Sequence, residues 1–193
     1  MVDFQSRDTQ RGRDEEPAAA ESGDRDDADD DGSAPERGIA VVSIGGGRTI
    51  EDDEAGDAVV ETVDAAGEAV VTRELIDASF DGVQTTVDAL VDRRDVYGVV
   101  TTGSTGVEPD DVTIEAVEPM LDKELPGFGE LVRRSCYEAA GSAVIRTRTT
   151  AGVLDGVACF CLPGDADVVR RSVRDIVVPE AETLAALAAE PES

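Results

Sequence analysis

Tyr97-Gly-Val-Val-Thr-Thr-Gly-Ser-Thr-Gly-Val-Glu-Pro-Asp-Asp111 carries three structural signals in succession. It opens as a short apolar, β-branched run, the pattern of a strand buried in a parallel sheet. It breaks at Gly103-Ser104-Thr105-Gly106, and a helical pattern begins after Pro109 and Asp110-Asp111. A strand running into a glycine turn and then a helix N-terminus suits an anion. Glycines let backbone N–H groups approach it, hydroxyls add donors, and the helix dipole favours negative charge. The loop is neither G-x-x-x-x-G-K nor G-x-G-x-x-G. On this pattern alone two readings stand: a phosphate or nucleotide site, and a tight βα turn with Asp111 as an ordinary N-cap.

Upstream, Ile39 to Ile44 is a buried-strand run ending in Gly45-Gly46-Gly47-Arg48. The acidic Glu51-Asp-Asp-Glu54 follows, then a helix expected over 55–66 with Val59, Val60 and Val63 as its apolar stripe and Gly67 as its stop. A second strand over 69–76 closes on Asp77. Asp81 is expected to cap a helix whose apolar face is Val83, Val87, Leu90 and Val91. Downstream, 112–121 is helical, with Pro119 as an early stop. Leu125-Pro-Gly-Phe-Gly-Glu130 reads as a loop before a helix over 131–140. Val157 to Leu162 is a fourth strand stopping on Pro163-Gly164, and helical patterns over 167–176 and 179–189 complete the chain.

This β-α-β-α-β rhythm predicts an α/β fold, a mostly parallel sheet with helices on both faces. Three strands end in glycine- or acid-rich loops: Gly45–Arg48, Gly103–Asp111 and Pro163–Asp165. In a doubly wound sheet ligands bind beyond the C-terminal strand ends. The convergence of three such loops on that edge argues for a site more strongly than any one of them.

Composition narrows the choices. The chain has 44 acidic and 17 basic residues, a formal charge of −27, and Lys123 is its only lysine. Sequence-independent binding to nucleic acid or to an anionic membrane needs a basic face and is not expected. Such an acidic, lysine-poor surface reads as adaptation to a salty cytoplasm, where salt screens self-repulsion. The absence of histidine removes Ser-His and Cys-His nucleophiles and His-based metal sites. Cys136, Cys159 and Cys161 form no C-x-x-C pair; the last two would share one face of a strand as core residues. No hydrophobic signal segment or membrane-length apolar run is visible, so a cytoplasmic location is expected. Residues 1–37 hold 13 acidic and 5 basic residues with few large apolar ones, and are expected to be a disordered acidic tail preceding a domain over 38–193.

Seven of the twelve basic residues after position 37 are Arg133, Arg134, Arg146, Arg148, Arg170, Arg171 and Arg174. For the last three, salt bridging on one helix is the preferred account. Arg148, in Arg146-Thr-Arg-Thr-Thr150, is the better phosphate candidate, since guanidinium binds phosphate bidentately. Phosphate-bound Mg²⁺ takes one or two carboxylates and keeps several waters. Asp111 beside the glycine loop and Asp77 at a strand end are placed for that work, against the plainer readings of an N-cap and a solvated strand end. Glu130 is either a ligand contact or a helix-start carboxylate.

Thr101-Thr-Gly-Ser-Thr-Gly106, Asp111-Val-Thr113, Gly127-Phe-Gly-Glu130 and Leu162-Pro-Gly164 occur in an order and spacing that resembles one family. It is the molybdenum cofactor biosynthesis protein B and molybdopterin adenylyltransferase family, and the resemblance spans about residues 38–180. It implies a three-layer αβα sandwich, a homotrimer or homohexamer, that binds molybdopterin and adenylylates it from ATP with Mg²⁺ before metal insertion, with the molybdenum insertion protein as a further partner. Carried over, Asp77 and Asp111 are the catalytic and metal carboxylates. Thr102, Gly103, Ser104, Thr105, Gly106, Gly127, Phe128, Gly129, Glu130, Thr147 and Arg148 would bind molybdopterin and its phosphate. Ser43, Asp53, Gly56, Pro163 and Gly164 would bind the nucleotide. Three departures from the family pattern stand out: Ser104 for a glycine, Asp53-Glu-Ala-Gly56 for D-T-S-G, and Asp165 after Pro163-Gly164. They leave open a carrier that holds the pterin without catalysis. A regulatory nucleotide binder of the same fold is a third reading, disfavoured by Gly127–Glu130 and the short chain.

Overall fold

The computed structural model describes residues 37–47 and 49–189. The expected tail, apart from Arg37, lies outside the described residues, as does Arg48. Six strands form one sheet: β1 (Gly38–Ile44), β2 (Val70–Ile76), β3 (Val96–Thr102), β4 (Lys123–Glu124), β5 (Thr150–Leu154) and β6 (Val157–Leu162). Their order is β2-β1-β3-β6-β5-β4. β2, β1, β3 and β6 run parallel, while β5 is antiparallel to both β6 and β4. The sheet is therefore mostly parallel, as expected.

Six α-helices flank it: α1 (Glu54–Ala65), α2 (Phe80–Val91), α3 (Thr113–Val117), α4 (Pro126–Ala140), α5 (Ala166–Ser172) and α6 (Val178–Ala188). On one sheet face Ile39, Val41, Val100 and Phe160 pack with Val59, Val63, Val132, Val169 and Ala181 from α1 and α4–α6. On the other, Ala40, Val42, Val99 and Cys159 pack with Val83, Val87, Ile114 and Val117 from α2 and α3. β1, β3 and β6 are buried along their whole length, the burial pattern of central strands covered on both sides. No described helix is long and apolar enough to cross a membrane.

Four local expectations are corrected. The segment 125–130 is not a loop, because α4 already begins at Pro126. Proline at the first helical position needs no N–H partner, and its fixed φ suits the turn. Gly129 is a contact glycine: a Cβ there would lie 2.7 Å from the Thr149 carbonyl oxygen and 2.9 Å from Arg133 Nη1. Asp81 does not cap α2; Ser79 does, accepting from Gly82 N–H at 3.4 Å, and Asp81 sits in the first turn. Strands β4 and β5 were not anticipated. Finally, α5 and α6 are joined without a break by a π-helical stretch, Val173–Val177, just before Pro179. Proline cannot donate to the preceding turn, and a π-bulge re-routes the ladder around it.

Candidate functional site

The parallel strands deliver Ile44, Ile76, Thr102 and Leu162 to one sheet edge. The loops beyond them meet there. A Cβ on Gly164 would touch Gly103 Cα at 3.6 Å, and one on Gly46 would lie 3.6 Å from Asp77 Oδ1. The sheet order places Asp77 at the outer strand, then Gly45–Gly47, then the Gly103 loop, then Pro163-Gly164.

The loop after β3 reverses through two left-handed residues, Gly103 (φ 90) and Ser104 (φ 53). For serine that conformation is strained. The side chain offsets it: Ser104 Oγ donates to the Asp110 carbonyl oxygen at 3.2 Å and accepts from Val112 N–H at 2.9 Å. Thr113 closes the far side, its N–H bonding Ser104 O at 2.9 Å and its hydroxyl Gly103 O at 2.8 Å. Asp111 is not the N-cap of α3. That position belongs to Val112, while Asp111 Oδ2 accepts from Glu108 N–H at 2.8 Å. With the loop pinned in this way, the N–H groups of Ser104, Thr105, Gly106 and Val107 have no hydrogen-bond partner among the described residues. Consecutive free N–H groups in such a turn form an anion-binding concavity.

Arg148 guards this loop. Its Nε donates to Gly106 O at 2.6 Å, and its two terminal nitrogens form a fork with the Glu115 carboxylate, Nη2 at 3.1 Å from Oε2. The pairing with Glu115 holds the guanidinium firmly charged, and Arg148 in turn holds the Glu115 carboxyl below its ordinary range. Arg148 lines two cavities. One, of about 530 Å³, also includes Gly129, Arg133 and Thr147; the other, of about 480 Å³, includes Asp111, Phe80 and Glu115. Thr149, in the first of these, has a buried hydroxyl without a partner. Gly127 and Glu130 are exposed, whereas Phe128 is core, its ring 5.3 Å from that of Phe160.

On the β1–β2 side lies a buried polar network. Asp53, only 1% exposed, caps α1 by accepting from Gly56 N–H at 3.0 Å. It also receives the Ser43 hydroxyl and Arg73 Nη2, the latter at 3.0 Å. Thr102 Oγ1 donates to Ser43 Oγ at 3.3 Å and links the network to the glycine loop. Burial alone would raise the Asp53 pKa. The bonds from Ser43, Gly56 and Arg73 outweigh it and hold the carboxyl below its ordinary value. Gly56 has a steric reason to be glycine: a Cβ there would overlap Asp53 Oδ2 and lie 2.7 Å from Ser43 Oγ and 2.8 Å from Arg73 Nη2. Beside this network a cavity of about 600 Å³ is lined by Glu54, Asp57, Glu61, Gly164, Asp165 and Arg170, among others.

The structure thus groups Ser43, Asp53, Gly56 and Thr102 directly, and puts Gly164 at the rim of the cavity beside them. Gly103–Gly106, Asp111 and Arg148 form a second group, and Gly129 and Thr147 share a cavity with Arg148. Asp77 is exposed, with no bonded partner among the described residues, just past the end of β2, the strand that carries Arg73. Among the described residues no three His, Cys, Asp or Glu side chains converge as a ready-made metal site. Asp165 caps α5, accepting from Asp167 and Val168 N–H at 3.1 and 3.0 Å. Arg170 pairs with Glu61 and Asp167, and Arg174 with Asp175, as the salt-bridge reading expects, while Arg171 donates to Ser135 O. Cys159 and Cys161 are buried on one face, and burial pushes the Cys161 thiol up to about 12. Sequence reasoning missed Arg73, Asp57 and Glu115. A lone arginine inside a strand pattern four residues before the acidic strand end at Asp77 was the available signal for the first.

Comparison with known proteins gives a consistent result. A family described as a probable molybdopterin binding domain matches residues 40–183. Molybdenum cofactor biosynthesis protein B of Bacillus subtilis (strain 168) is 36% identical over 141 residues, covering 72% of this chain and 83% of that protein. Molybdopterin adenylyltransferase of Pyrococcus furiosus is 36% identical over 143 residues, again 72% and 83%. A crystal structure of a molybdenum cofactor biosynthesis protein B superposes with a TM-score of 0.75 at 34% identity, covering 81% of this chain and 98% of that one.

Proposed function

The chain belongs to this family of molybdopterin-binding domains, and from that premise we propose that it adenylylates molybdopterin with ATP in molybdenum cofactor biosynthesis. The molybdopterin phosphate attacks the α-phosphorus of ATP; a new P–O bond forms and pyrophosphate leaves with the electron pair of the bond that breaks. Such a transfer needs positioning and charge neutralisation, and no histidine base. The observation that carries the reading is the run of four N–H groups over 104–107 that have no partner among the described residues, held open by Ser104 and Thr113 and flanked by Arg148.

In this account the N–H groups hold the attacking phosphate and Arg148 orients it. Gly129, Thr147 and the cavity beside Arg148 take the pterin, and the cavity at Gly164 and Asp57 takes the nucleotide. Mg²⁺ is a co-reactant of the proposal. Among the described residues, Asp77 is exposed without a bonded partner and Asp111 leaves one carboxylate oxygen without a hydrogen bond, which suits an ion that takes one or two protein carboxylates beside phosphate oxygens and water. When bound, the ion neutralises charge on the departing pyrophosphate. Self-association into a trimer or hexamer is part of the proposal, supported by exposed Leu131, Tyr137 and Ile145 on and after α4. So is delivery of the product to a molybdenum insertion protein in a salty cytoplasm.

Asp111→Ala tests the site. Adenylylation is expected to disappear while the melting temperature falls by only a few degrees, since one exposed loop hydrogen bond is lost; full activity refutes the assignment. The carrier reading draws on the carboxylates around the nucleotide cavity, Glu54 among them. Tight pterin binding without turnover would favour it.

A further inference from the structure

Arg73 is the arginine that sequence reasoning passed over, and its surroundings give it a purpose. β1 and β2 pair as Ile39↔Val70 and then Ala40↔Thr72, a shift of one residue. A shift of one exchanges the two faces of a strand. It sets Arg73 opposite Val41, whose side chain packs on the α1 face, rather than on the α2 face with Ala40. There the guanidinium spans two carboxylates of one helix start. Nη1 meets Asp57 Oδ1 at 2.7 Å, and Nη2 meets Asp53 Oδ2 at 3.0 Å and Asp53 O at 3.2 Å. Gly56 makes room for this approach. The pair partners differ in exposure: the Asp53 side chain is 1% exposed and that of Asp57 48%, facing the cavity that Gly164 and Asp165 share.

That cavity is rimmed by Glu54, Asp57, Glu61, Asp165 and Asp167, with Arg170 as its one basic lining residue among those described. Arg170 is already engaged by Glu61 and Asp167. A nucleoside triphosphate entering there meets a strongly negative wall. Arg73 stands behind that wall and bridges two of the network's carboxylates, leaving the trio one negative charge rather than two.

We propose that Arg73 is a positioning residue for the nucleotide half of the site: it ties the start of α1 to β2, fixes the direction of Asp57, and offsets half the charge of the Asp53–Asp57 pair so that a polyphosphate can occupy the adjoining cavity. The inference rests on the nucleotide reading of that cavity. It predicts an effect confined to ATP. Removing Arg73 frees negative charge beside the polyphosphate and leaves the loop at 104–107 and the Arg148 cavity intact.

The test compares wild type, Arg73→Gln, Arg73→Lys and Arg73→Gln/Asp57→Asn, assayed for adenylylation and for equilibrium ATP binding at low and high KCl. Arg73→Gln is expected to raise KM and Kd for ATP about tenfold at low salt, a gap that narrows as salt screens the charge. The KM for molybdopterin should stay within about twofold, because the change is local. Asp57→Asn in the Gln background should bring ATP affinity back, since it removes the uncompensated charge. Arg73→Lys should raise KM for ATP about threefold, because an ammonium cannot serve both carboxylates as a fork does. This variant carries the test should Arg73→Gln not fold.

Unchanged ATP affinity in the folded variants would overturn the proposal. So would a loss shared equally by both substrates and untouched by salt or by Asp57→Asn, which is the mark of a merely structural role. Failure of the underlying site reading looks different. Wild type would then neither turn over nor bind ATP, and Arg73 would have no nucleotide to position.

Discussion

Gly56→Ala is a substitution whose sign depends on the buried network. Gly56 lies in the first turn of α1, and on helix propensity alone alanine would stabilise the chain by up to about 1 kcal/mol. The geometry opposes this. The added methyl would overlap Asp53 Oδ2, the acceptor of both Ser43 Oγ–H and Arg73 Nη2, and would crowd both donors at 2.7 and 2.8 Å. Asp53 is also bound by Gly56 N–H, so its carboxylate cannot swing aside without leaving the cap. Overpacking of this kind costs about 1–3 kcal/mol, and weakening one charged hydrogen bond about 1.5–3 kcal/mol. Subtracting the propensity gain leaves a net loss of about 3 kcal/mol, or roughly 6–12 °C in melting temperature for a chain of this size. Gly127→Ala is the internal control. Gly127 is also in a first helical turn, but nothing lies within 4 Å of its Cβ position, so alanine there should be neutral or stabilising. Denaturant unfolding of both variants in high salt measures the contrast. A Gly56→Ala protein as stable as wild type, beside a normal Gly127→Ala protein, would refute the steric argument.

Two further outcomes follow from the same geometry. Asp53 is held below its ordinary pKa of 3.8 in the folded chain, so its ionised form stabilises the fold fully above that value, and the contribution is lost as pH falls through the lower folded value. The stability gap between wild type and Asp53→Asn should therefore be constant from about pH 5 to 7 and narrow below about pH 4, as followed by urea titration; a gap that widens in acid contradicts the assignment. At position 104, alanine keeps the left-handed backbone strain and loses both hydroxyl bonds, whereas glycine loses the bonds but relieves the strain. Ser104→Ala should thus be less stable than Ser104→Gly by about 1 kcal/mol, and the reverse order in thermal unfolding would show that the left-handed conformation carries no strain there.

The buried strands β1, β3 and β6 and the glycine loop were legible because each is a continuous apolar run or a turn with its own chemistry. β4 and β5 were not. β4 has two residues, and β5 contains Gly152, where a Cβ would run into the Lys123 carbonyl oxygen and Leu121, so a glycine that reads as a breaker permits strand contact. The start of α4 was hidden for the same reason: Gly127 and Gly129 suggest a loop, and only the approach of Gly129 to Thr149 shows why the helix has a glycine at 129. Ser104 as a departure was visible, but the use of its hydroxyl to bridge Asp110 and Val112 depends on a loop closure that no local pattern encodes. Arg73 needed the one-residue shift between β1 and β2, a property of pairing that neither strand carries alone.

The central claim is adenylyl transfer, and the most direct measurement is pyrophosphate release from ATP with Mg²⁺ in high salt, with and without added molybdopterin. The account predicts release that depends on molybdopterin and is stoichiometric with adenylylated product. No release, in a buffer where the pterin binds tightly, would contradict it and leave the chain as a carrier.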